Sequence, residues 1–121
     1  SRRMSLQKHH GGCHCGAVQY TAEVDLEAEA LICNCSICRR TGAMMMFVPE
    51  DKFTLEKGEN AQKDYTFNKN KIHHLFCTTC GVRSFGRGES PKGPMLMINA
   101  RCLDGVDVFT QKTKQHDGAK V

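Results

Sequence analysis

The sequence predicts a single, mainly β domain, and three observations support this prediction. Short apolar segments alternate with turn residues along the 121 residues, and no long stretch has the periodicity of a helix. Hydrophobic residues make up 40 % of the chain and aromatic residues only 7 %, with no tryptophan, so we expect a thin core. Eight cysteines are a strong excess at this length, which predicts that sulfur-based staples supplement the core.

The predicted elements follow one another with turns between them. The strands comprise residues 17–24, 29–34, 43–49, 63–67, 71–76, 82–86, 95–101 and 106–112. These are short runs rich in apolar, β-branched or aromatic residues. One helical turn is predicted in SICRRTG and ends at Gly42. EKGEN, NKN and GRGESPKGP are predicted turns or loops, and the last is expected to be a mobile surface loop.

Composition bounds the class of protein. We expect one zinc-binding domain over residues 11–121, preceded by a flexible segment over residues 1–10. Lys and Arg outnumber Asp and Glu by 17 to 13, a mild excess that suits small anionic ligands and lacks the basic stripe of a nucleic-acid binder. The longest apolar run, AMMMFVP, is too short to span a membrane. The amino-terminal residues lack the apolar run of a secretory signal, which predicts reduced cysteines in the cytoplasm; a mature secreted chain is the alternative.

The cysteines form three clusters and leave one residue alone. GGCHCG contains Cys13 and Cys15, CNCSIC contains Cys33, Cys35 and Cys38, FCTTCG contains Cys77 and Cys80, and the solitary residue is Cys102. Zinc binds thiolate sulfur in a tetrahedron, and two residues between ligands let the backbone turn around the ion. Gly16 and Gly81, which follow the first and third clusters, permit the left-handed turn. Three such clusters in one short chain predict zinc.

The number of ligands distinguishes two sites. The first and third clusters supply four cysteines, enough to close one zinc ion completely. The middle cluster supplies three, and an open fourth position is the arrangement of a catalytic zinc. Spacing leaves a second solution open, in which another residue completes the middle site and both sites are structural. The candidates for that ligand are Cys102, His14, His73 and His74.

Five motifs in a characteristic order carry a family resemblance. They are GGCHCGAVQY, CNCSICRRTGA, HHLFCTTCGVRSF, INARCLDGVD and HDGA. Together they run from Gly11 to Gly118, and they resemble the family of glutathione-dependent formaldehyde-activating enzymes, which includes centromere protein V. The resemblance implies an Mss4-like fold of several small coiled antiparallel sheets and two zinc ions. In the family pattern the structural ion is held by Cys13, Cys15, Cys77 and Cys80, and the catalytic ion by Cys33, Cys35 and Cys38.

The resemblance also implies an activity, that of a zinc-dependent carbon–sulfur lyase. Glutathione would bind as a thiolate at the open position and attack formaldehyde to give S-hydroxymethylglutathione, or the reverse. Arg39 and Arg40 directly follow the third cysteine of the middle cluster and are candidates to bind the carboxylates of glutathione. Their alternative role is to brace the turn or lie in solvent. Many relatives have His where this chain has Asn34, a position that is not a ligand in the family pattern.

A second class of function remains open, a non-catalytic zinc module that binds glutathione or a protein. The three-cysteine cluster favours the enzyme, because a purely structural module would gain from closing its second site. The lack of an obvious acid–base constellation favours the module. A dithiol redox protein is disfavoured, because the clusters lack the βαβ context of thioredoxin-like folds.

The remaining residues of interest are expected to have structural roles. His73 and His74 are adjacent in a strand, so at most one faces inward, and a structural or surface role is favoured over that of a catalytic acid. Met44 to Met46 are expected in the core, with a pocket wall as the alternative. Further expectations are a frayed terminus for His9 and His10, a knuckle position for His14 and a buried inert thiol for Cys102. Arg83 and Arg101 have a weaker claim than Arg39 and Arg40 to bind glutathione, and a surface charge is the favoured role for both.

Overall fold

The structure is a computed structural model that describes residues 6–120. The strands are β1 (Gln7–Gly12), β2 (Gln19–Val24), β3 (Ala30–Cys33), β4 (Met45–Pro49), β5 (Phe53–Lys57), β6 (Gln62–Tyr65), β7 (His73–Cys77), β8 (Phe85–Ser90), β9 (Gly93–Asn99) and β10 (Thr113–His116). Helix α1 (Cys38–Thr41) lies between β3 and β4, and short 3₁₀ turns span Glu50–Lys52, Ala100–Cys102 and Gly118–Lys120. The prediction of a mainly β fold is confirmed.

Within the described residues the strands form two sheets. The smaller sheet has the order β1-β2-β5 and is antiparallel. The larger sheet has seven strands in the order β10-β3-β4-β9-β8-β7-β6. Every pairing in it is antiparallel except that of β10 with β3, which is parallel. This parallel pair brings the carboxy-terminal residues beside Cys33, where His116 is its register partner.

The core joins the two sheets. It contains alternate residues of β2, β4 and β9, namely Tyr20, Ala22, Val24, Met46, Val48, Leu96 and Ile98. Side chains alternate along a strand, so each of these strands presents one face to the core. The ring of Tyr20 lies 5.2 Å from that of Phe53 and 5.5 Å from that of Phe85, and its hydroxyl donates to the carbonyl of Ser84 at 3.0 Å. The aromatic cluster therefore fixes the small sheet against the large one.

Most predicted elements are confirmed, with shifted boundaries. Every predicted strand except the last overlaps an observed strand, and the predicted helical turn is α1, which ends at Gly42 with φ of 70°. Residues 106–112 are not a strand: they form a turn in which the backbone N–H of Gln111 donates to the carbonyl of Asp107 at 3.0 Å. GRGESPKGP is not a loop, because it forms the β8–β9 hairpin, closed by a Ser90 Oγ bond to the Gly93 carbonyl at 3.0 Å.

The amino-terminal prediction requires correction. Residues 7–10, expected to be flexible, belong to β1 and pair with β2. His9 and His10 therefore do not form a frayed terminus, and His10 Nδ1 hydrogen-bonds Asp104 Oδ2 at 2.9 Å. Residues 1–5 of the predicted flexible segment lie outside the described residues. Across residues 6–120 no helix has the length and apolar character needed to cross a membrane.

Candidate metal centre

Four cysteines from two distant segments meet at one point. Cys13 and Cys15 follow β1, Cys77 ends β7 and Cys80 follows it. Their Sγ atoms lie within 4.8 Å of one another, and two of the separations, Cys13 to Cys15 and Cys15 to Cys77, are 3.7 Å. A tetrahedron of sulfurs around zinc, with bonds of about 2.3 Å, has edges of about 3.8 Å. A disulfide would require about 2.05 Å, so the spacing fits a metal ion.

Backbone N–H groups point at the sulfurs of this four-cysteine cluster. The N–H of Val18 donates to Cys13 Sγ at 3.3 Å, and those of Thr79 and Cys80 donate to Cys77 Sγ at 3.4 and 3.5 Å. Hydrogen bonds to a thiolate favour the charged form, and those from Cys80 and Thr79 lower the pKa of Cys77. The cluster is therefore arranged to stabilise negative sulfur, which is the form that binds zinc.

The turns around this cluster depend on glycine, as the sequence predicts. Gly16 and Gly81 have φ of +86° and +78°, in the left-handed region where a side chain is disfavoured. The turn at Gly81 lets the N–H of Val82 reach the sulfur of Cys80, which together with the N–H of Cys15 lowers the pKa of Cys80 to about 6.

The three cysteines of the middle segment form a second cluster. Cys33 ends β3, Cys35 lies in the following loop and Cys38 begins α1. Their Sγ atoms lie within 4.8 Å of one another, and the N–H of Cys35 donates to Cys33 Sγ at 3.4 Å. Among residues 6–120 no further His, Cys, Asp or Glu joins this group. The three thiols fit a metal ion that keeps one position open.

None of the four residues considered as a further ligand belongs to this three-cysteine group. Cys102 Sγ donates to the Arg83 carbonyl at 3.8 Å, and burial raises the pKa of this half-buried thiol to about 11. Cys102 is therefore half-buried rather than buried as predicted, and its raised pKa agrees with the inert character predicted. His14 is an exposed residue of the first knuckle. The remaining two candidates, His73 and His74, face opposite sides of β7, as predicted.

These two histidines differ in environment. His73 is partly exposed and pairs through Nδ1 with Asp64 Oδ2, which is a surface role. His74 is buried, stacks on Phe67 with ring centroids 5.1 Å apart, and donates from Nδ1 to the Tyr65 carbonyl at 2.9 Å. Burial lowers the pKa of His74, so its ring is neutral at neutral pH.

The carboxy-terminal residues form a wall of the three-cysteine cluster. Asn34 donates from Nδ2 to Asp117 Oδ1 at 2.9 Å and accepts at Oδ1 from the N–H of Ala119 at 3.0 Å. Gly118 approaches so closely that a Cβ there would lie 2.5 Å from Cys33 Sγ. Asn34, the position at which the sequence departs from many relatives, thus ties the cysteine loop to this terminal turn.

Two cavities flank the three-cysteine cluster. The apolar cavity has a volume of about 300 Å³, and its apolar lining includes Met45, Phe47, Phe67, Ile72, Phe85 and Met97. The polar cavity has a volume of about 480 Å³, and its polar lining includes Asn34, Arg39, Gln115, His116 and Asp117. Cys33 and Cys38 line both cavities. A ligand at the cluster therefore has an apolar space on one side and a polar one on the other.

The two candidate arginines of α1 have different roles. Both are exposed, and Arg39 lines the polar cavity. Arg40 donates from Nη1 to the carbonyl of Ser36 at 2.7 Å, which agrees with the alternative that it braces the turn. Arg101, expected to be a surface charge, is exposed.

Arg83 is the functional candidate that the sequence reasoning ranked too low. It is not a surface charge: Nε and Nη1 are buried without a hydrogen-bond partner in the described residues, and the side chain lines the apolar cavity. Burial lowers the pKa of Arg83, and the negative charge of Cys38 and Cys35 acts in the opposite direction. A signal was present, because Arg83 lies two residues before Phe85 and an extended chain puts both on one side.

The methionine run satisfies both of its interpretations. Met44 and Met46 are buried in the core, as expected, whereas Met45 lines the apolar cavity. Alternation along β4 sends the neighbouring side chains to opposite faces. The run therefore connects the core to the cavity wall.

Comparison with known proteins relates this geometry to a family. A family model described as glutathione-dependent formaldehyde-activating enzyme matches residues 8–117. The matched region contains both cysteine clusters, Arg83 and all but the last two residues of the HDGA motif. A crystal structure of a protein from Rhodobacter sphaeroides matches with a TM-score of 0.77 at 28 % sequence identity, covering 88 % of this chain and 99 % of that chain.

Proposed function

The chain belongs to the family of glutathione-dependent formaldehyde-activating enzymes, and we propose that it is a zinc-dependent carbon–sulfur lyase that forms or cleaves S-hydroxymethylglutathione or a similar adduct. The observation that carries this proposal is the three-cysteine cluster, which no further protein ligand joins within residues 6–120 and which two cavities adjoin. A site that leaves a metal position open between two ligand-sized spaces suits catalysis better than a structural role.

The two clusters have different proposed roles. Cys13, Cys15, Cys77 and Cys80 hold a structural zinc ion, and Cys33, Cys35 and Cys38 hold the catalytic one. A zinc ion at the three cysteines would supply an open position at which an added thiol binds as its thiolate.

The polar cavity is the proposed site for the peptide part of glutathione. Glutathione carries carboxylates, and a guanidinium matches a carboxylate in charge and in hydrogen-bond geometry. Arg39 lines this cavity and is the proposed carboxylate partner. Arg40 already donates to the Ser36 carbonyl, so its proposed role is to hold α1 in position rather than to bind glutathione.

The reaction requires one proton to move. The sulfur of glutathione attacks the carbonyl carbon, the carbon–oxygen π electrons pass to oxygen, and the proton lost by the thiol ends on that oxygen; cleavage is the reverse. His74 lines the apolar cavity, and because its Nδ1 donates to Tyr65, the neutral ring has its lone pair at Nε2. We assign Nε2 as the atom that takes the proton from the thiol and returns it to the oxygen. Holding both reactants in one site supplies a further part of the acceleration.

The remaining elements of the proposal concern the whole chain. The domain, which includes β1 and therefore begins before residue 11, acts as a single zinc-binding unit in the cytoplasm, where reducing conditions keep thiols unpaired. None of the described cysteines forms a disulfide, in agreement with that location. The proposed partners are glutathione and a small aldehyde rather than nucleic acid or a membrane, because the net charge of +4 is too small for a basic binding surface.

The test is the rate at which the adduct forms. Thiols and formaldehyde also combine without a catalyst, so the readout is the exchange rate between formaldehyde and S-hydroxymethylglutathione, measured by exchange NMR with protein that holds two zinc ions per chain. We expect an acceleration that rises with protein concentration and is absent in Cys35→Ser. Zinc-loaded protein that binds glutathione without accelerating exchange would instead be the non-catalytic zinc module.

A further inference from the structure

The apolar cavity beside the three-cysteine cluster is larger than formaldehyde requires. Its volume is about 300 Å³. A water molecule accounts for about 30 Å³ of liquid, so about ten water-sized groups would fill the cavity, whereas formaldehyde would fill about one. Most of the lining is apolar, which offers little to the charged groups of glutathione. The cavity therefore suits a hydrocarbon group attached to the reacting carbon.

The cavity lies beside the place where the reaction would occur. The three cysteines of the cluster line its wall, so a group placed there begins at the point where the sulfur of the substrate would bind. Phe47 and Ile72 also line it, and both side chains are 47 % exposed. A ligand that covers this exposed apolar surface gains the free energy of its burial.

Arg83 supplies this wall with a strong donor whose buried nitrogens lack a partner in the described residues. Its Nε and Nη1 are buried without a hydrogen-bond partner in the described part of the chain. Buried donors left unpaired cost free energy, which an acceptor brought in by a ligand would recover. The carbonyl oxygen of a substrate is such an acceptor, and the charge that develops on it during attack strengthens the bond.

We propose that the carbonyl substrate is an aldehyde whose aliphatic or aromatic group fills the apolar cavity, and that Arg83 donates a hydrogen bond to its oxygen. This inference rests on the proposed function. The reaction has the same balance as with formaldehyde: a carbon–sulfur bond forms, the carbon–oxygen π bond becomes a hydroxyl that receives the proton of the thiol, and no oxidant or reductant is consumed.

Binding of stable analogues tests the cavity without any turnover. S-Methyl-, S-propyl-, S-butyl- and S-hexylglutathione are thioethers that cannot react, and their affinities for the zinc-loaded protein are measured by isothermal titration calorimetry. Each buried methylene strengthens binding about fourfold, so we expect affinity to rise by up to that factor per carbon until the cavity is full. Affinity that does not change along the series would overturn the proposal.

A pair of variants locates the effect. Ile72→Asp puts a charge in the cavity wall and should reduce the affinity for S-hexylglutathione about tenfold or more, with S-methylglutathione little changed. Val108→Asp is the matched control, because Val108 is an exposed apolar residue that does not line this cavity. Equal losses in the two variants would mean that the hydrocarbon binds elsewhere, which contradicts the inference.

A third variant isolates Arg83. Arg83→Met keeps the apolar stem and removes the donors, and should slow adduct formation with hexanal about 100-fold. S-Hexylglutathione has no oxygen on the carbon bonded to sulfur, which is the oxygen that Arg83 would bind, so its affinity should stay within threefold. If Arg83→Met loses zinc from the three-cysteine cluster, or weakens the thioether as much as it slows the reaction, Arg83 acts on the cysteines or the fold and its assigned role is wrong.

The outcomes separate this inference from the proposed function. If the protein accelerates formaldehyde exchange but binds all the thioethers equally well, the proposed lyase activity stands and the proposal of a larger aldehyde is wrong. If affinity rises along the thioether series but neither formaldehyde nor hexanal reacts faster, the lyase proposal is wrong and the cavity is only a binding site for apolar glutathione conjugates. A rising series with faster reaction of hexanal than of formaldehyde at equal concentration supports both.

Discussion

The two cysteine clusters contain the same residue type in different surroundings. In the four-cysteine cluster, cysteines 62 residues apart in sequence, such as Cys15 and Cys77, meet between the small sheet and the large one. The three-cysteine cluster is drawn from one short segment, Cys33 to Cys38, and joins no distant strands through its ligands. A metal ion in the four-cysteine cluster would link distant parts of the fold, whereas a metal ion in the three-cysteine cluster would bind to a single loop.

The two clusters also differ in how closely they are packed against the core. Cys77 is 1 % exposed and belongs to the core, against which Cys13 and Cys80 pack. The three-cysteine cluster instead lies between two cavities. If the proposed roles are correct, ligand number and connection to the core, rather than ligand chemistry, distinguish the structural from the reactive metal site.

The largest expected effect is loss of the fold on substitution in the four-cysteine cluster. Cys80→Ser removes one ligand of the proposed structural zinc. Binding of structural zinc is worth about 10 kcal/mol or more, which is comparable to the whole stability of a small domain. We expect an unfolded chain by circular dichroism and by amide NMR dispersion. Thr79→Ser is the control, since Thr79 is exposed and lies between the ligands, and it should remain folded.

The next effect should fall on metal content and activity rather than on folding. Cys35→Ser is expected to lose one zinc ion per chain by mass spectrometry, to keep its amide NMR dispersion, and to abolish the acceleration of adduct exchange. The adjacent variant Ser36→Ala should retain both ions, because only the backbone carbonyl of Ser36 is used, by Arg40. Should Cys35→Ser unfold as Cys80→Ser does, the division of roles between the clusters is wrong.

A smaller effect should follow from the wall of the three-cysteine cluster. Gly118→Ala introduces a Cβ that would lie 2.5 Å from Cys33 Sγ, so the sulfur or the terminal turn must move. We expect the zinc affinity of this cluster to fall about 10- to 100-fold, as for other changes next to metal ligands, with the four-cysteine cluster unaffected. Competition with a chromophoric chelator measures both affinities, and Ala119→Ser at the exposed neighbouring residue should leave both unchanged.

The smallest expected effect is on the stability that a surface pair in β1, the strand before Cys13, contributes to the fold. His10 in β1 pairs with Asp104, and this hydrogen bond raises the pKa of His10 above its ordinary value. The pair therefore stabilises the fold at pH below about 6.5 and loses this contribution as pH rises through the raised pKa. Because the pair is exposed, we expect less than about 1 kcal/mol.

Thermal unfolding at pH 5.5 and pH 8.5 measures this contribution. Asp104→Asn should lower Tm at the lower pH and have a smaller effect at the higher pH. Asp51→Asn, at an exposed carboxylate elsewhere, is the control. A Tm difference that grows with pH would contradict the assignment.

The short-range features of this protein follow directly from its amino-acid sequence. Cysteine spacing grouped the ligands, because a tetrahedral ion constrains residues that are close in sequence, and Gly16 and Gly81 marked the turns. Periodicity located most strands and the turn of α1. It missed β1, β5 and β10, which are largely polar, because such strands form through their partners in a sheet rather than through their own apolar pattern.

The surroundings of the three-cysteine cluster depend on contacts between residues that are distant in sequence. The parallel pairing of β10 with β3 brings Gly118 against Cys33, and the folding of β4, β7, β8 and β9 into one sheet creates the apolar cavity with Arg83 in its wall. The local sequence around an arginine in a predicted strand does not show whether its side chain lies in solvent or in the wall of a cavity. Burial is a property of what packs against a residue, and these neighbours are distant in sequence.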